Sequence, residues 1–242
     1  MQNEEAPFDT IVSLGGLCQV AYQIENRFGF RIHSPFDWLV APFNSVGQVF
    51  ADDGARFGES IRVGWAGEVA ICTEYGVAYQ HEFPRDGARQ VNITAVGLAK
   101  CRDKLQHKYR TMTERVAASK RVLFLRMSGH HDSAGAFPYL VDPEPLTTAD
   151  VNRLCGEIEA KFPGLEFALA VATFPGFTEV QVEPEALDAR ARMFLLEGDA
   201  GDEWQGNEQS WAPVFEAYPI QLERGAGETR QQTGSDIELL HG

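Results

Sequence analysis

Apolar positions along this chain fall into two alternating patterns: short continuous runs, and runs that recur every three or four residues. Continuous runs predict strands: "TIVSL" buried on both faces, "RVLFLRM" the clearest buried one, then "EFALAVATF" and "RMFLLEG". Between them, Leu17, Val20, Ala21, Ile24 and Phe28 predict a first helix that stops at Gly29. Leu98, Cys101, Leu105, Tyr109, Met112 and Val116 predict a second over 95–117, and Val151, Leu154, Cys155, Ile158 and Phe162 a third, capped by Thr148. "EVAICTEYGVAYQHEF" reads as a hairpin in which Val77, Tyr79, His81 and Phe83 share one face. "HSPFDWL" carries helix-entry chemistry, with Ser34 as cap, Pro35 first and Asp37 third, so a short helix is expected from Pro35. The glycine-rich stretch 52–67 has little pattern and is expected to wander over the surface.

Strands alternating with helices predict an α/β fold: a mostly parallel sheet flanked by helices, with a small antiparallel hairpin insertion. Ligands of such sheets lie beyond the strands' carboxyl ends, where Cys18 and the loop holding His130 would converge. Residues 1–222 read as a single α/β domain, and the Gly-, Gln-, Thr- and Ser-rich residues 223–242 as a disordered tail.

Charge narrows the partners. The formal net charge of −14 comes from 35 acidic against 21 basic residues, which argues against nucleic acid. The basic run from Lys100 to Arg126 reads as a solvated helix face. No apolar run reaches membrane-spanning length, and the first residues lack the pattern of a signal peptide, so a cytoplasmic location is expected. The four cysteines are far apart and form no C-x-x-C pair; nothing calls for a metal or an organic cofactor.

Cys18 separates itself from the other cysteines by position. Cys101 and Cys155 lie inside the apolar stripes of their helices, whereas Cys18 lies off its stripe, on the side of Tyr22 and Glu25, at the first turn after a strand. Unpaired N–H groups and the positive helix end favour a thiolate there, and the N–H groups near Gly16 to Gln19 could hold an oxyanion. A nucleophile needs a base. His81 is best placed, on an apolar strand face that would keep it neutral; His33 could also reach the site, and His130 lies on a loop after a strand. Asp37 could orient a histidine or simply cap a helix, while Glu82 should point away from His81.

"FDTIVSLGGLCQVAY", "SPFDWL", "YGVAYQHEF" and "KRVLFLRM" together resemble, over roughly residues 8–215, a bacterial family of unknown function described as putative papain-like cysteine peptidases. The resemblance implies a reactive role for Cys18, a base role for His81 and a supporting role for Asp37. It also implies an alternative fold, α+β papain-like, with the histidine on an antiparallel sheet. The strand-and-helix alternation from Arg121 to Gly198 instead resembles flavodoxin-like hydrolases that carry serine after the first strand, which favours acyl transfer over peptide cleavage. The expected activity is hydrolysis or transfer of an acyl or amide group on a small molecule or peptide. Two other classes are open: a binding module whose turn at Gly15 and Gly16 cradles a phosphate or nucleotide sugar, and a scaffold docking a partner through Trp204, Trp211, Phe215 and Tyr218.

Overall fold

The computed structural model describes residues 6–64, 67–128, 145–197 and 204–222. His130 and residues 223–242 lie outside the described residues.

All four predicted strands form, but the last of them, at the sheet edge, is largely uncovered, with only Phe194 buried. β1 (Thr10–Ser13), β6 (Arg121–Met127), β8 (Glu166–Thr173) and β10 (Ala191–Leu195) build a parallel sheet in the order β1-β6-β8-β10. α3 (Ala95–Ala118) leads into β6 and α4 (Thr148–Lys161) into β8. Period-two alternation divides each strand between two cores. Val12, Val122, Phe124, Leu169 and Val171 face Leu105, Met112 and Val116 of α3 and Leu154 and Ile158 of α4. Ile11, Leu123, Leu125 and Ala170 face the opposite way, onto α1 (Cys18–Phe28) and α5 (Glu208–Glu216). The result is a three-layer α/β arrangement, as expected. After α5 the chain returns to the outside of β1, where Ile220 bridges Phe8.

A second, antiparallel sheet is larger than the predicted hairpin. Its order is β2 (Leu39–Val40), β5 (Val77–Tyr79), β4 (Val69–Cys72) and β3 (Ile61–Gly64). Two expectations fail here. No helix starts at Pro35: residues 35–38 form a turn and Leu39 and Val40 pair with Tyr79 and Ala78, while the helix α2 (Ser45–Ala51) starts later. The stretch 52–67 is not all loop, since β3 pairs with β4 over Ile61 to Gly64. A smaller shift concerns α4, which Thr147 caps instead of Thr148, in a reciprocal box with Asp150. A two-stranded pairing of β7 (Leu146–Thr147) with β9 (Val180–Gln181) completes the sheets among the described residues. No helix among the described residues is long and apolar enough to cross a membrane.

The antiparallel sheet joins the two cores. Leu39, Ala70, Val77 and Tyr79 pack into the α3 side, while Val40, Val69, Ile71 and Ala78 cover Leu17, the residue before Cys18. The start of α1 is therefore wedged between the parallel sheet and this second sheet.

α1 also buries two glutamines that its apolar stripe did not announce. Gln19 accepts a bond from Trp211 Nε1 (3.1 Å), and Gln23 Nε2 donates to the carbonyl oxygens of Gln205 (2.7 Å) and Gly206 (3.3 Å). Trp211 and Phe215 are core residues, and Tyr218 packs against the same cluster; only Trp204 of that aromatic group is exposed. Trp211→Phe would leave the buried Gln19 oxygen without its donor, so unfolding in urea should show a loss of about 2 kcal/mol.

Candidate functional site

The site begins at the turn between β1 and α1. Gly15 and Gly16 both have positive φ, +72° and +101°. A side chain at Gly15 would meet the Phe36 carbonyl oxygen at 2.7 Å, and one at Gly16 the Met127 carbonyl oxygen at 2.1 Å. The glycines are there because the turn runs against the backbone on two sides. Backbone bonds fix it: Met127 N–H donates to Gly15 O (3.0 Å) and Ala41 N–H to Gly16 O (3.3 Å). Arg126, wholly buried, donates to Leu14 O (2.9 Å) and Ala41 O (2.6 Å) and lies over the Phe43 ring.

The Gly15 N–H is already committed to Ser13 Oγ (3.1 Å), so it is no oxyanion donor in this arrangement. Cys18 is the first residue of α1, and Leu17 provides no side-chain cap. The N–H groups of Cys18 and Gln19 precede any possible intrahelical partner and point out of the helix start.

Cys18 is half-buried and off the apolar stripe, as expected, but its thiol does not titrate as expected. Burial pushes it up to about 11, its own backbone N–H pulls in the opposite direction, and the Asp37 carboxylate adds a further rise. Desolvation outweighs the helix end. The thiol is thus neutral near pH 7, and folding disfavours its ionisation. Stability tied to the neutral thiol is complete below about pH 9 and is lost as pH rises toward about 11.

Asp37 lies at the centre of a charged network. Its Oδ2 accepts from the Ser34 N–H (3.0 Å) and from the Arg31 guanidinium, while Oδ1 is buried with no hydrogen-bond partner. Arg31 also holds Glu25 Oε2 (2.9 Å) and sits 5.5 Å from the Trp38 ring centre. Burial raises the Asp37 pKa, and Arg31 and Lys108 oppose the rise. The predicted capping role survives inside a single turn, since Ser34 Oγ accepts from the Phe36 N–H (3.1 Å). His33 stands beside this turn, its Nδ1 4.0 Å from Asp37 Oδ2. Burial, followed by the positive charges of Arg31 and Lys108, pushes its imidazole down to about 4, so it is neutral at pH 7.

His81 departs from its predicted setting. β5 ends at Tyr79, the chain bends, and His81 is exposed, not held on an apolar strand face. Tyr79 and Phe83 keep the buried side of the alternation. Glu82 is drawn away by both carboxylate oxygens to Lys104 of α3 (2.9 Å each), which agrees with its expected separation from the His81 ring. His81 stands edge-on to Trp38 (6.2 Å between ring centres), Trp38 to Trp204 (5.9 Å) and Trp204 to Tyr22 (5.3 Å). Tyr22 is one helical turn beyond Cys18, so a row of rings links the histidine to the cysteine-bearing helix.

Cys18, Asp37 and His33 are thereby gathered at the carboxyl end of β1, with His81 at the far end of the ring row. Tyr22, Arg31, Trp38, Lys108 and Arg126 are additions that motif reading passed over. Arg126 had a signal, a charge inside the otherwise apolar "RVLFLRM"; Arg31 and Lys108 had none beyond ordinary basic residues. Among the described residues no group of three or more His, Cys, Asp or Glu side chains is arranged to hold a metal ion.

Of the two expected geometries the structure has the parallel α/β one. The cysteine starts a helix packed on a parallel sheet, and the histidine follows a strand of an antiparallel sheet that covers Leu17. No curated protein and no solved structure matches the chain. A family model does, over residues 9–171, more than half of the chain and inclusive of Cys18, Asp37 and His81. The chain belongs to the family described as "putative papain-like cysteine peptidase" (DUF1796).

Proposed function

We propose that the protein is a cysteine-nucleophile hydrolase or acyltransferase in which Cys18 attacks a carbonyl carbon and His81 is the base. The observation that carries this reading is the placement of Cys18 at an uncapped helix start, where the first N–H groups have no intrahelical partner. Because the thiol rests neutral, the reaction begins with proton transfer and bond formation together, not from a standing thiolate. The sulfur–carbon bond forms as the thiol proton passes to the His81 imidazole, which has to move in from the far end of the ring row to reach it, and the carbonyl oxygen gains negative charge facing the Cys18 and Gln19 N–H groups. Collapse breaks the bond to the leaving nitrogen or oxygen, which takes the proton from His81. Water or a second acceptor then releases the acyl group from sulfur. Asp37 is held by Arg31, and the neutral His33 is the imidazole beside that pair.

The test is to trap the acyl intermediate. Incubation with p-nitrophenyl acetate followed by peptide mass spectrometry should place an acetyl group on Cys18, reduced by about a hundredfold or more in the His81→Ala variant, the loss of one general base. Acetylation spread evenly over lysines, with Cys18 unmodified, would remove this reading.

A second reading is favoured by the raised thiol pKa. In it the fold is a non-catalytic α/β binding module for a phosphate- or sugar-containing ligand, and Cys18 is a small residue at a helix start. Calorimetric binding of a nucleotide sugar that is unchanged by Cys18→Ala would favour it.

A further inference from the structure

Trp204 is the one aromatic of the tail group that stays out of the core, with 37% of its surface exposed. It is nevertheless held in place. Gln23 of α1 donates to the carbonyl oxygens of the next two residues, Gln205 and Gly206. A side chain at Gly206 would strike the Gln19 amide at 2.3 Å, so this backbone lies tightly on α1. The ring meets both Tyr22 (71° between planes) and Trp38 (61°) edge-on. Tyr22 and Trp38 are themselves half-buried. Arg31 braces Trp38 from behind, at 5.5 Å from the ring centre.

An exposed tryptophan alone calls for no explanation. A row of three rings, pinned from the backbone and starting one helical turn from a nucleophile, does. Fixed rings lose little freedom when a ligand covers them, and their exposed faces and edges complement another planar ring at the spacing these rings already keep among themselves.

We infer that Tyr22, Trp204 and Trp38 form a substrate subsite that receives a planar aromatic ring carried close to the scissile carbonyl. The inference rests on the proposed cysteine chemistry for its reference to a scissile bond, but the ring-binding claim is measurable without it. Selectivity follows from shape: a flexible aliphatic chain covers less of the row and loses more freedom on doing so.

The experiment uses nitrogen-15-labelled full chain carrying Cys18→Ala, titrated with N-benzylacetamide and, separately, N-butylacetamide. The indole N–H signals are read directly, and Trp204→Phe assigns the Trp204 signal. The expected result is a saturable shift of the Trp204 and Trp38 signals with the benzyl compound, at least about fivefold weaker binding for the butyl compound, and a similar loss in Trp204→Ala. Trp204→Phe should retain binding. If Trp204→Ala loses signal dispersion and so does not fold, Tyr22→Leu takes its place, with the same loss expected. Unsaturable shifts, equal affinity for both amides, or binding unaffected by either substitution would overturn the subsite. An unreactive Cys18 in a protein that still binds the benzyl amide through Trp204 would sink the cysteine chemistry and leave ring recognition standing.

Discussion

Gly16→Ala is expected to destabilise the protein by about 4 kcal/mol, the sum of a residue forced into the left-handed half of backbone space and a collision that cannot relax. The colliding partner is a backbone carbonyl, Met127 O at 2.1 Å from the added carbon, and Met127 is itself bonded through its N–H to Gly15. Nothing flexible is available to move aside. For a chain of this size a loss of that magnitude lowers the melting temperature by roughly 10 °C. The same displacement would shift the start of α1, so Cys18 acylation should fall even in protein that remains folded. Thermal melting and trapping of the acetyl adduct check the two parts, and a variant that melts like the parent would show that the turn is looser than described.

Arg126→Met is expected to cost about 3 kcal/mol. The side chain is fully buried, and its guanidinium donates to Leu14 O and Ala41 O, next to the glycine turn. Hydrogen bonds from a charged donor are worth about 1.5–3 kcal/mol each, and their loss strands two buried carbonyls; relief from burying the charge returns part of the cost. Arg126→Lys should fall between the two, because an ammonium lacks the planar fork that spans both acceptors. Guanidinium chloride unfolding of the three proteins gives the order. Equal stability of the Met variant and the parent would contradict a clamping role.

The long elements were legible because their apolar period is decided locally. α1, α3 and α4 and the four strands of the parallel sheet lie close to where the spacing of their leucines, valines and phenylalanines placed them. "SPFDW" was misread because the same bonds, Ser34 Oγ to the Phe36 N–H and Asp37 to the Ser34 N–H, serve a single turn as well as a helix start. The decision came from Tyr79 and Ala78, some forty residues away, which pair with Leu39 and Val40. His81 continued a strand alternation that the chain abandons after Tyr79, where Glu82 is drawn to Lys104 on a helix that no local pattern could bring there.

The site itself was half legible. That Cys18 starts a helix off its apolar stripe follows from eleven residues of sequence; that its thiol is raised follows from burial by distant segments, which outweighs the helix end. The buried glutamines Gln19 and Gln23 tell the same story, since their partners are Trp211, Gln205 and Gly206. The chain returning across α1 makes these polar side chains buried anchors.

The most direct test of the account is the pH dependence of Cys18 alkylation by iodoacetamide in a variant lacking Cys72, Cys101 and Cys155, with and without His81→Ala. The account predicts little thiolate near pH 7 and a rate that climbs with pH toward a midpoint near 11, with the neutral-pH rate falling further when His81 is removed, because the imidazole assists proton loss. A neutral-pH rate that is indifferent to His81 would contradict the assignment of that residue as the base of Cys18.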